Sequence, residues 1–369
     1  MAQVYEVIIV GGGIGGSAAA LRAAQNNLNT LWLLGDRRTR KRSRSQWVYN
    51  LDNIVGFHED VIKDQVLKTL RRRGAAEAAK LIEQEHYHIH NRGIIKNTIR
   101  RLEQAYPHVT IREEVAVKLE RIDSTFRVTT PRGHFQGSAI VLATGVMDEQ
   151  PQFALLKRSG ERETSPRWIY PFANREQVLY CIRCEGHLTR EDAVAVLGPT
   201  STAVELSFML YERYGNHVYL LTDGQTLNVG DEQKTLLAHY QVEVITEPVA
   251  ELLQENKIHL QGFAFANHEP IYVKFALVAL GLHRVYNDLA RQVGARLMDP
   301  EQPEEKRHVW INHKSETSVK NLFAVGDMVK REDEPVMKQV YTAQEYAVRA
   351  VDVIDSRHRK AMRQAVLGQ

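Results

Sequence analysis

Short apolar runs rich in β-branched residues alternate along this chain with stretches in which apolar positions recur every three or four residues. The first run covers residues 4–10. A glycine-rich turn follows, and an alanine-rich segment at 17–24 leads to a second apolar run at 31–34. A buried parallel strand gives a continuous apolar run, whereas a helix gives the longer period. The N-terminus is therefore predicted to form a strand–helix–strand unit.

The same order returns in the middle of the chain, with a strand at 193–197, a turn, a helix ending near residue 214 and a strand at 218–221. The remaining predictions are amphipathic helices within 61–70 and 94–102, strands within 109–128, at 138–145, 271–280 and 321–327, and a last helix at 340–355. Residues 148–171 carry prolines and no clear period, which is typical of a crossing between domains. Two such units in one chain predict an α/β fold.

The turn after the first strand has the spacing G-x-G-x-x-G. Gly11 permits the tight turn, Gly13 lets a pyrophosphate approach the backbone, and Gly16 lets helix and strand pack closely. The phosphate then rests on the free N–H groups at the start of the helix. Asp36, just beyond the second strand, is the candidate for the adenosine ribose. This context predicts a dinucleotide site.

Cys181 and Cys184 are the only cysteines of the chain. A structural zinc site would need four ligands, and no second cysteine pair exists to supply them. C-x-x-C is otherwise a redox signature, and Arg183 between the two sulfurs favours the reactive thiolate. Opening and closing this disulfide moves two electrons, so the pair needs a redox partner nearby.

Composition is that of an ordinary globular protein, with 369 residues, 43% hydrophobic and 25% charged. No apolar run approaches the roughly 18 residues that a membrane helix needs, and the early strand leaves no room for a signal peptide. A working dithiol without other cysteines suits a reducing cytoplasm. We expect no membrane and no nucleic-acid partner, because no nucleic-acid module accompanies the basic residues.

The net charge of +3 hides a dense basic run, predicted to be a loop. It is either a solvated segment or a docking patch for an acidic partner, since clustered cations steer anionic proteins. Its members are Arg37, Arg38, Arg40, Lys41, Arg42 and Arg44. His86, His88 and His90 alternate as they would on one face of a strand. Without a carboxylate or cysteine partner, we interpret them as a solvated face and expect no metal site.

Together, these motifs resemble the low-molecular-weight thioredoxin reductases in order and spacing over nearly the whole chain. The matching parts are the glycine loop at Gly11, the Ala143-Thr144-Gly145 turn, the Cys181–Cys184 pair, a second nucleotide fold, and Phe323-Ala324-Val325-Gly326-Asp327. The resemblance implies an α/β protein with two Rossmann-like, three-layer domains, the second inserted in the first. An FAD domain would comprise residues 1–150 and 284–369, and residues 151–283 would form a second nucleotide-binding-like domain that carries the dithiol.

The resemblance also implies roles for single residues. Cys184 would lie against the flavin and Cys181 would attack the disulfide of the partner. Glu185 would handle protons during exchange, unless it is a surface acid that pairs with Arg183. The implied FAD-binding residues are Gly11, Gly13, Gly15, Gly16, Asp36, Ala143, Thr144, Gly145, Gly326, Asp327, Gln339 and Val340.

The sequence departs from the family at the second nucleotide site. That site would comprise Gly198, Thr200, Ser201, Ala203 and Asp223. Thr200 replaces the glycine where a pyrophosphate should touch the backbone. Asp223 stands where the family reads the 2′-phosphate of NADPH, and its carboxylate would repel that group. The Gly-Gly-Gln motif of the FAD domain is also missing, replaced by the basic run and Trp47.

The sequence thus predicts a homodimeric FAD enzyme that passes electrons between its flavin and the dithiol, and on to a thioredoxin-like protein or a small disulfide. Because NADPH is disfavoured, three donors remain open: NADH, a second FAD in the second site, or an acidic ferredoxin. The direction of flow also remains open, because a dithiol oxidase that uses oxygen would have the same pair. A non-catalytic flavin-binding regulator is the alternative from another class.

Overall fold

The computed structural model describes residues 4–40, 42–48, 51, 53–56, 59–84, 90–156, 161–256, 258–332 and 334–368. The strands are β1 Val4–Val10, β2 Thr30–Leu33, β3 Val109–Arg112, β4 Lys118–Ile122, β5 Thr125–Thr130, β6 Gly133–Leu142, β7 Val146–Asp148, β8 Ala154–Leu156, β9 Arg162–Thr164, β10 Val178–Leu179, β11 Ala193–Leu197, β12 His217–Leu221, β13 Glu243–Ile245, β14 Val249–Glu255, β15 His259–Phe265, β16 Ile271–Tyr272, β17 Phe275–Val278, β18 Leu282–Val285, β19 Val309–Trp310, β20 Leu322–Ala324 and β21 Val329–Lys330.

The helices are α1 Ile14–Gln25, α2 Arg37–Arg40, α3 Glu59–Arg72, α4 Ala76–Gln84, α5 Asn91–Ala105, α6 Tyr170–Ala173, α7 Ile182–Glu185, α8 Ser201–Tyr214, α9 Asp231–His239, α10 Asp288–Gln292 and α11 Val340–Val366. The 3₁₀ turns are Arg44–Gln46, Pro166–Ile169, Gly186–Thr189, Glu304–Lys306 and Gly326–Met328. The predicted α/β fold is confirmed.

The chain forms two compact units. The first comprises Met1–Gln46, Leu51–Met147 and Arg284–Gln369, and the second comprises Trp47–Asn50 and Asp148–His283. Which nucleotide each unit binds, and the predicted domain ranges, stay predictions.

The first unit is built on a parallel sheet in the order β3-β2-β1-β6, with β20 paired to the carboxyl half of β6 and the antiparallel strands β5 and β4 continuing from its amino half. Val10 is level with both Leu33 and Leu142, and Leu142 is level with Ala324. The carboxyl ends of four strands therefore meet at one edge. Alanines of α1 pack against alanines of α11 in the core, since small side chains let two helices approach closely.

The second unit contains a five-stranded sheet in the order β10-β17-β11-β12-β13, parallel throughout, and a separate antiparallel sheet of β14, β15 and β16. Leu197 is level with Leu221 and Val278. The short strand β10 lies at the edge and is level with the same strands, so the dithiol segment leaves the sheet at its carboxyl edge.

Three predictions of local structure were wrong. The predicted strand 271–280 is two strands in different sheets. The last helix continues to Val366, beyond the predicted end at 355. The basic run is not a loop in its described part but a turn of helix, α2, and a 3₁₀ turn. Residues 148–171, predicted to be a crossing between domains, begin where the chain passes from the first unit to the second, and they also contain the hairpin of β8 and β9.

Candidate functional site

Cys181 and Cys184 form a disulfide at the start of α7. Cys181 precedes the helix in extended backbone, and its carbonyl accepts hydrogen bonds from the N–H groups of Cys184 and Glu185. One turn of helix thus brings the two sulfurs together, which is the reason for the C-x-x-C spacing. Both cysteines are buried. The redox-active disulfide expected from the sequence is present.

Glu185 is almost completely buried, with 1% of its surface exposed. One carboxylate oxygen accepts hydrogen bonds from the backbone N–H groups of Tyr180 at 3.0 Å and of Cys181 at 3.2 Å. The alternative that Glu185 is a surface acid is therefore wrong, because its side chain is buried and binds the backbone N–H groups of Tyr180 and Cys181. The carboxylate fixes the backbone that carries Cys181, and its role in proton transfer stays a prediction.

Aromatic residues surround this segment. Tyr180 is buried and donates its hydroxyl to Gln150 Oε1 at 2.6 Å, and burial raises its pKa well above the ordinary tyrosine value. Trp47 stacks on Tyr170, with ring centroids 4.8 Å apart, and lies 6.1 Å from the Tyr180 ring. Sequence reasoning missed this cluster. Its only signal was the position of Trp47 in the place of a family motif.

The first glycine loop has the geometry of a phosphate cradle. Gly11 has φ +125°, and a Cβ there would overlap the Ala143 carbonyl oxygen. A Cβ at Gly16 would overlap the Gly11 carbonyl oxygen, so helix and strand meet through bare backbone. Gly13 begins α1 without a side-chain cap, and a Cβ there would meet nothing within 4 Å. The open space and uncapped N–H groups therefore lie where the pyrophosphate is predicted.

Gly15 of this helix faces the other predicted segment. A Cβ on Gly15 would lie 3.2 Å from Val325 and 3.8 Å from Gly326. Gly326 has φ +77° and turns the chain so that Asp327 follows at the same edge of the sheet. Arg44 of the basic run reaches this place, with its Nε 3.9 Å from Asp327. The structure thus brings a cation to the site that sequence reasoning did not assign to it.

The turn 143–145 lies at the same edge, after β6. Gly145 has φ +69° and accepts a hydrogen bond from the Tyr286 N–H, while the Thr144 hydroxyl donates to the Tyr286 carbonyl at 2.6 Å. Ala143 supplies the carbonyl that Gly11 approaches. This turn is therefore held in place by the chain returning at Tyr286.

Gln339 and Val340 form the start of α11. Gln339 is buried, makes no side-chain cap, and accepts a hydrogen bond from Asn53 Nδ2 at 2.6 Å through its Oε1. The N-terminus of this long helix is thus uncapped, as at α1. Asp36 differs, since its carboxylate accepts hydrogen bonds from the N–H and hydroxyl of Thr39, and these bonds lower its pKa. Its role at a ribose stays a prediction.

In the second nucleotide loop, unlike the first, a side chain caps the helix that follows. Gly198 has φ +149° and makes the same tight turn after β11. Thr200 then caps α8: its Oγ1 accepts from the Ala203 N–H at 3.1 Å and donates to the Ala279 carbonyl at 3.0 Å. Ser201 is exposed and Ala203 is buried. The Thr200 side chain therefore binds an N–H group at the start of α8, where the second pyrophosphate is predicted.

Asp223 follows β12 with φ +51° and accepts a hydrogen bond from the Val249 N–H at 2.9 Å. The side chain is half-buried, and burial raises its pKa. Its carboxylate therefore braces the following loop against β14. The geometry explains this acid without any nucleotide.

His86 and His88 lie outside the described residues. His90 is the N-cap of α5, and its ring accepts a hydrogen bond from the Gly93 N–H. Over the part of the chain that the structure describes, no three His, Cys, Asp or Glu side chains gather as a metal site would require. Within the same residues, no helix combines the length and apolar character needed to cross a membrane.

The residues present fit FAD. The first loop offers open space at Gly13, uncapped N–H groups at α1 and a nearby guanidinium, and these features suit the pyrophosphate of a dinucleotide. At the second loop, the Thr200 hydroxyl already accepts from one N–H group at the start of α8.

Comparisons with known proteins agree with an FAD-binding protein. The model of the pyridine nucleotide-disulphide oxidoreductases matches residues 5–347. Thioredoxin reductase of Aquifex aeolicus is 23% identical over 363 residues, which cover 96% of this chain and 93% of that protein. Ferredoxin--NADP reductase 1 of Latilactobacillus sakei is 22% identical over 312 residues, covering 84% and 80%.

Among solved structures, thioredoxin reductase from Streptococcus pyogenes has a TM-score of 0.70 at 17% identity, covering 97% of this chain and 99% of that one. Identity this low supports the fold alone. The chain therefore belongs to the pyridine nucleotide-disulphide oxidoreductase family, and it is a flavin-dependent disulfide oxidoreductase of thioredoxin reductase-like fold.

Proposed function

We propose that this enzyme passes electron pairs between FAD and the Cys181–Cys184 dithiol, and on to the disulfide of a thioredoxin-like protein. The observation that carries the proposal is the closed Cys181–Cys184 disulfide in a chain that also holds an open dinucleotide loop. Thioredoxin reductases among its relatives support the kind of partner.

The exchange balances through the two sulfurs. The Cys181 thiolate attacks one sulfur of the partner's disulfide, forms a mixed disulfide, and releases one partner thiolate, which takes up a proton. The Cys184 thiolate then attacks the Cys181 sulfur, releases the second partner thiol, and closes the disulfide. Because both cysteines are buried, this exchange requires a conformational change that exposes Cys181.

The protein's own groups prepare this step. Arg183 lies between the cysteines and favours the thiolate. Glu185 holds the backbone of Cys181 through two N–H bonds. The loop of Gly11, Gly13 and Gly16 would hold FAD, which when bound supplies the electron pair that reopens the disulfide.

NADPH is not the proposed donor. Thr200 fills the second phosphate position with its own hydroxyl, and Asp223 is bonded to the backbone of Val249. Charge supports the same conclusion, because residues 191–283 contain twelve acidic and four basic side chains, a net charge of −8. A surface of this sign repels an anionic dinucleotide. Mixing the anaerobic enzyme with NADPH should leave the flavin absorbance unbleached, and rapid bleaching would restore a conventional reductase.

The number and kind of cofactors bound to the purified enzyme distinguish the possible electron donors. We expect one FAD per chain after denaturation, because the second loop is self-capped. Two FAD per chain would favour a second flavin as the donor, and one FAD with NAD(H) would favour NADH. If one FAD per chain is the only cofactor released, an acidic ferredoxin is the electron donor to test, since the basic run lies on the first unit beside Asp327.

Cys184→Ser tests the dithiol mechanism. We expect the variant to keep FAD, because the change is in the second unit, but to lose multiple turnover, since nothing resolves the mixed disulfide. Cys181→Ser is the matched variant and should lose even the first exchange. Full turnover by Cys184→Ser would refute the scheme. A homodimer and a cytoplasmic location remain part of this proposal, and sedimentation of the purified enzyme tests the dimer.

A further inference from the structure

The dithiol segment exposes only three of its side chains, and two of them are arginines. From Cys181 to Arg190, the exposed residues are Arg183, His187 and Arg190, and the rest are buried except the half-buried Leu188. Helix α7 continues directly into the 3₁₀ turn Gly186–Thr189. Arg183 lies in α7, His187 lies in the 3₁₀ turn, and Arg190 follows that turn directly. The exposed side chains of the dithiol segment are therefore two arginines and a histidine, which together we call the cationic stripe.

The neighbouring segment continues the same character. Arg167 is exposed and stands three residues before Tyr170, which is 42% exposed and stacks on Trp47. Trp47 in turn lies beside Tyr180, which immediately precedes Cys181. The exposed aromatic ring and the arginine thus lie on the segment packed against the dithiol.

This positive charge opposes the charge of the surrounding unit. Over residues 165–190 there are four arginines and two acids, and one of the acids is the buried Glu185. The following 191–283 carries a net charge of −8. A surface that serves only solubility can mix positive and negative side chains. A local reversal of sign around reactive sulfurs instead matches an electrostatic docking surface.

We propose that the cationic stripe docks an acidic protein whose disulfide the dithiol reduces. This inference rests on the proposed function and names the chemistry of its partner. Even at the short rise of an α-helix, the seven steps from Arg183 to Arg190 span about 10 Å, which exceeds a small disulfide and fits the surface of a protein. Carboxylates of the partner pair with Arg183 and Arg190, and they guide its disulfide toward Cys181.

The test measures Cys181 directly, without electron donor or flavin chemistry. Cys184→Ser leaves Cys181 as the single thiol of the chain. Three peptides carry one cysteine activated as a 2-pyridyl disulfide, flanked by glutamates, by neutral residues or by lysines. Attack by Cys181 on the peptide sulfur releases pyridine-2-thione, whose absorbance gives the rate. At low salt we expect the acidic peptide to react about tenfold faster than the neutral one, and the lysine peptide to react most slowly.

Charge reversal separates docking from thiol reactivity. Arg183→Glu/Arg190→Glu in the Cys184→Ser background should invert the order of the peptides, and high salt should abolish the preference. The ratio of rates within one variant cancels any change in the Cys181 thiolate itself. Arg190→Glu alone serves if the double variant does not fold. Arg213→Glu, an exposed arginine on α8, is the matched control and should change nothing.

The outcomes distinguish the two proposals. Reaction with all three peptides at equal rates overturns the docking inference and leaves the proposed function standing. No reaction with any peptide refutes the proposed function itself. Binding of a DNA oligonucleotide that the double reversal abolishes, without a preference among peptides, would make the stripe a nucleic-acid surface and also overturn the inference.

Discussion

At the scale of single residues, three glycines in one loop perform three different tasks. Gly11 needs a positive φ, and Gly16 needs bare contact with the Gly11 carbonyl, so both serve the fold. Gly13 has φ −86°, which any residue can adopt, and open space around it. The fold therefore does not require a glycine here, which supports the prediction that its lack of a side chain serves the ligand.

Gly13→Val should accordingly fold normally but bind no FAD, because the side chain would fill the phosphate cradle. Gly11→Ala should instead lower stability by roughly 2 kcal/mol or more, through strain at φ +125° and overlap with Ala143. Bound flavin per chain and chemical unfolding of the apoprotein measure the two effects. Normal FAD content in Gly13→Val would contradict the assignment of the cradle.

Glu185 allows its two roles to be separated. Glu185→Ala should lower the free energy of unfolding of the oxidised enzyme by about 2–4 kcal/mol, because two buried N–H groups lose their acceptor. Glu185→Gln keeps an oxygen that can accept both bonds and should cost about 1 kcal/mol. Urea unfolding measures stability. If Glu185→Gln is stable yet slow in turnover, the carboxylate also handles protons; if it is stable and fully active, its role is to position Cys181.

At the scale of elements, α1 and α8 begin in the same way and differ in whether a side chain caps the helix. Both follow a parallel strand and a glycine with positive φ. Gly13 leaves the first helix open, whereas Thr200 satisfies the second. In a capped helix, an N–H group that could bind a phosphate is already hydrogen-bonded to the capping side chain. The Thr200 side chain thus takes up at α8 a position that stays open at α1.

Thr200→Ala should lower the free energy of unfolding by about 1 kcal/mol, the usual effect of losing a threonine N-cap. Thr202→Ala, in the exposed first turn of the same helix, is the control and should change stability little. Chemical denaturation compares the two variants. Equal stability of both variants would show that Thr200 does not cap α8.

The pair of β19 and β21 should respond to acid. His308, just before β19, is buried, and this burial lowers its pKa. The hydrogen bond to Asp299 Oδ2 at 3.1 Å acts in the opposite direction, whereas the charges of Lys338 and Lys330 lower the pKa further. This ring is therefore harder to protonate in the folded protein than in the unfolded chain, where an ordinary histidine takes up a proton below about pH 6.5. The contribution of His308 to stability is thus fully present above that pH and is lost on acidification.

Replacing His308 by Gln should flatten the loss of stability between pH 7 and pH 5. His313→Gln, at an exposed position, should leave the pH dependence unchanged. Unfolding free energies at several pH values provide the measurement. An unchanged slope in His308→Gln would show that other groups cause the acid sensitivity.

At the scale of the whole molecule, the mild net charge of +3 conceals a division. By sequence, the second unit carries eighteen acidic and eleven basic residues, so its net charge is −7 and that of the first unit is +10. FAD, an anionic dinucleotide, is predicted in the positive unit. The negative unit carries the loop that Thr200 caps, and four of its eleven basic residues lie within residues 165–190, around the dithiol.

Trp47 shows that chain order and folding unit differ here. It lies between two segments of the first unit but packs in the second, 6% exposed and stacked on Tyr170. Trp47→Ala should lower the free energy of unfolding by about 3 kcal/mol, as truncation of a buried aromatic does. Tyr272→Ala, at a side chain that is 70% exposed, is the control and should cost little. Calorimetry of both variants tests the assignment, and similar unfolding temperatures would contradict it.

The sequence by itself determined the local signals of this protein. The strand–turn–helix units, the open glycine loop and the dithiol depend on residues close together in the chain, where period and backbone preference act directly. The tertiary structure decided what depends on distant partners. It paired Thr200 with Ala279, Asp223 with Val249 and Trp47 with Tyr170, and it buried Glu185. No local pattern encodes these contacts, because each one exists only after separate segments of the chain have packed together.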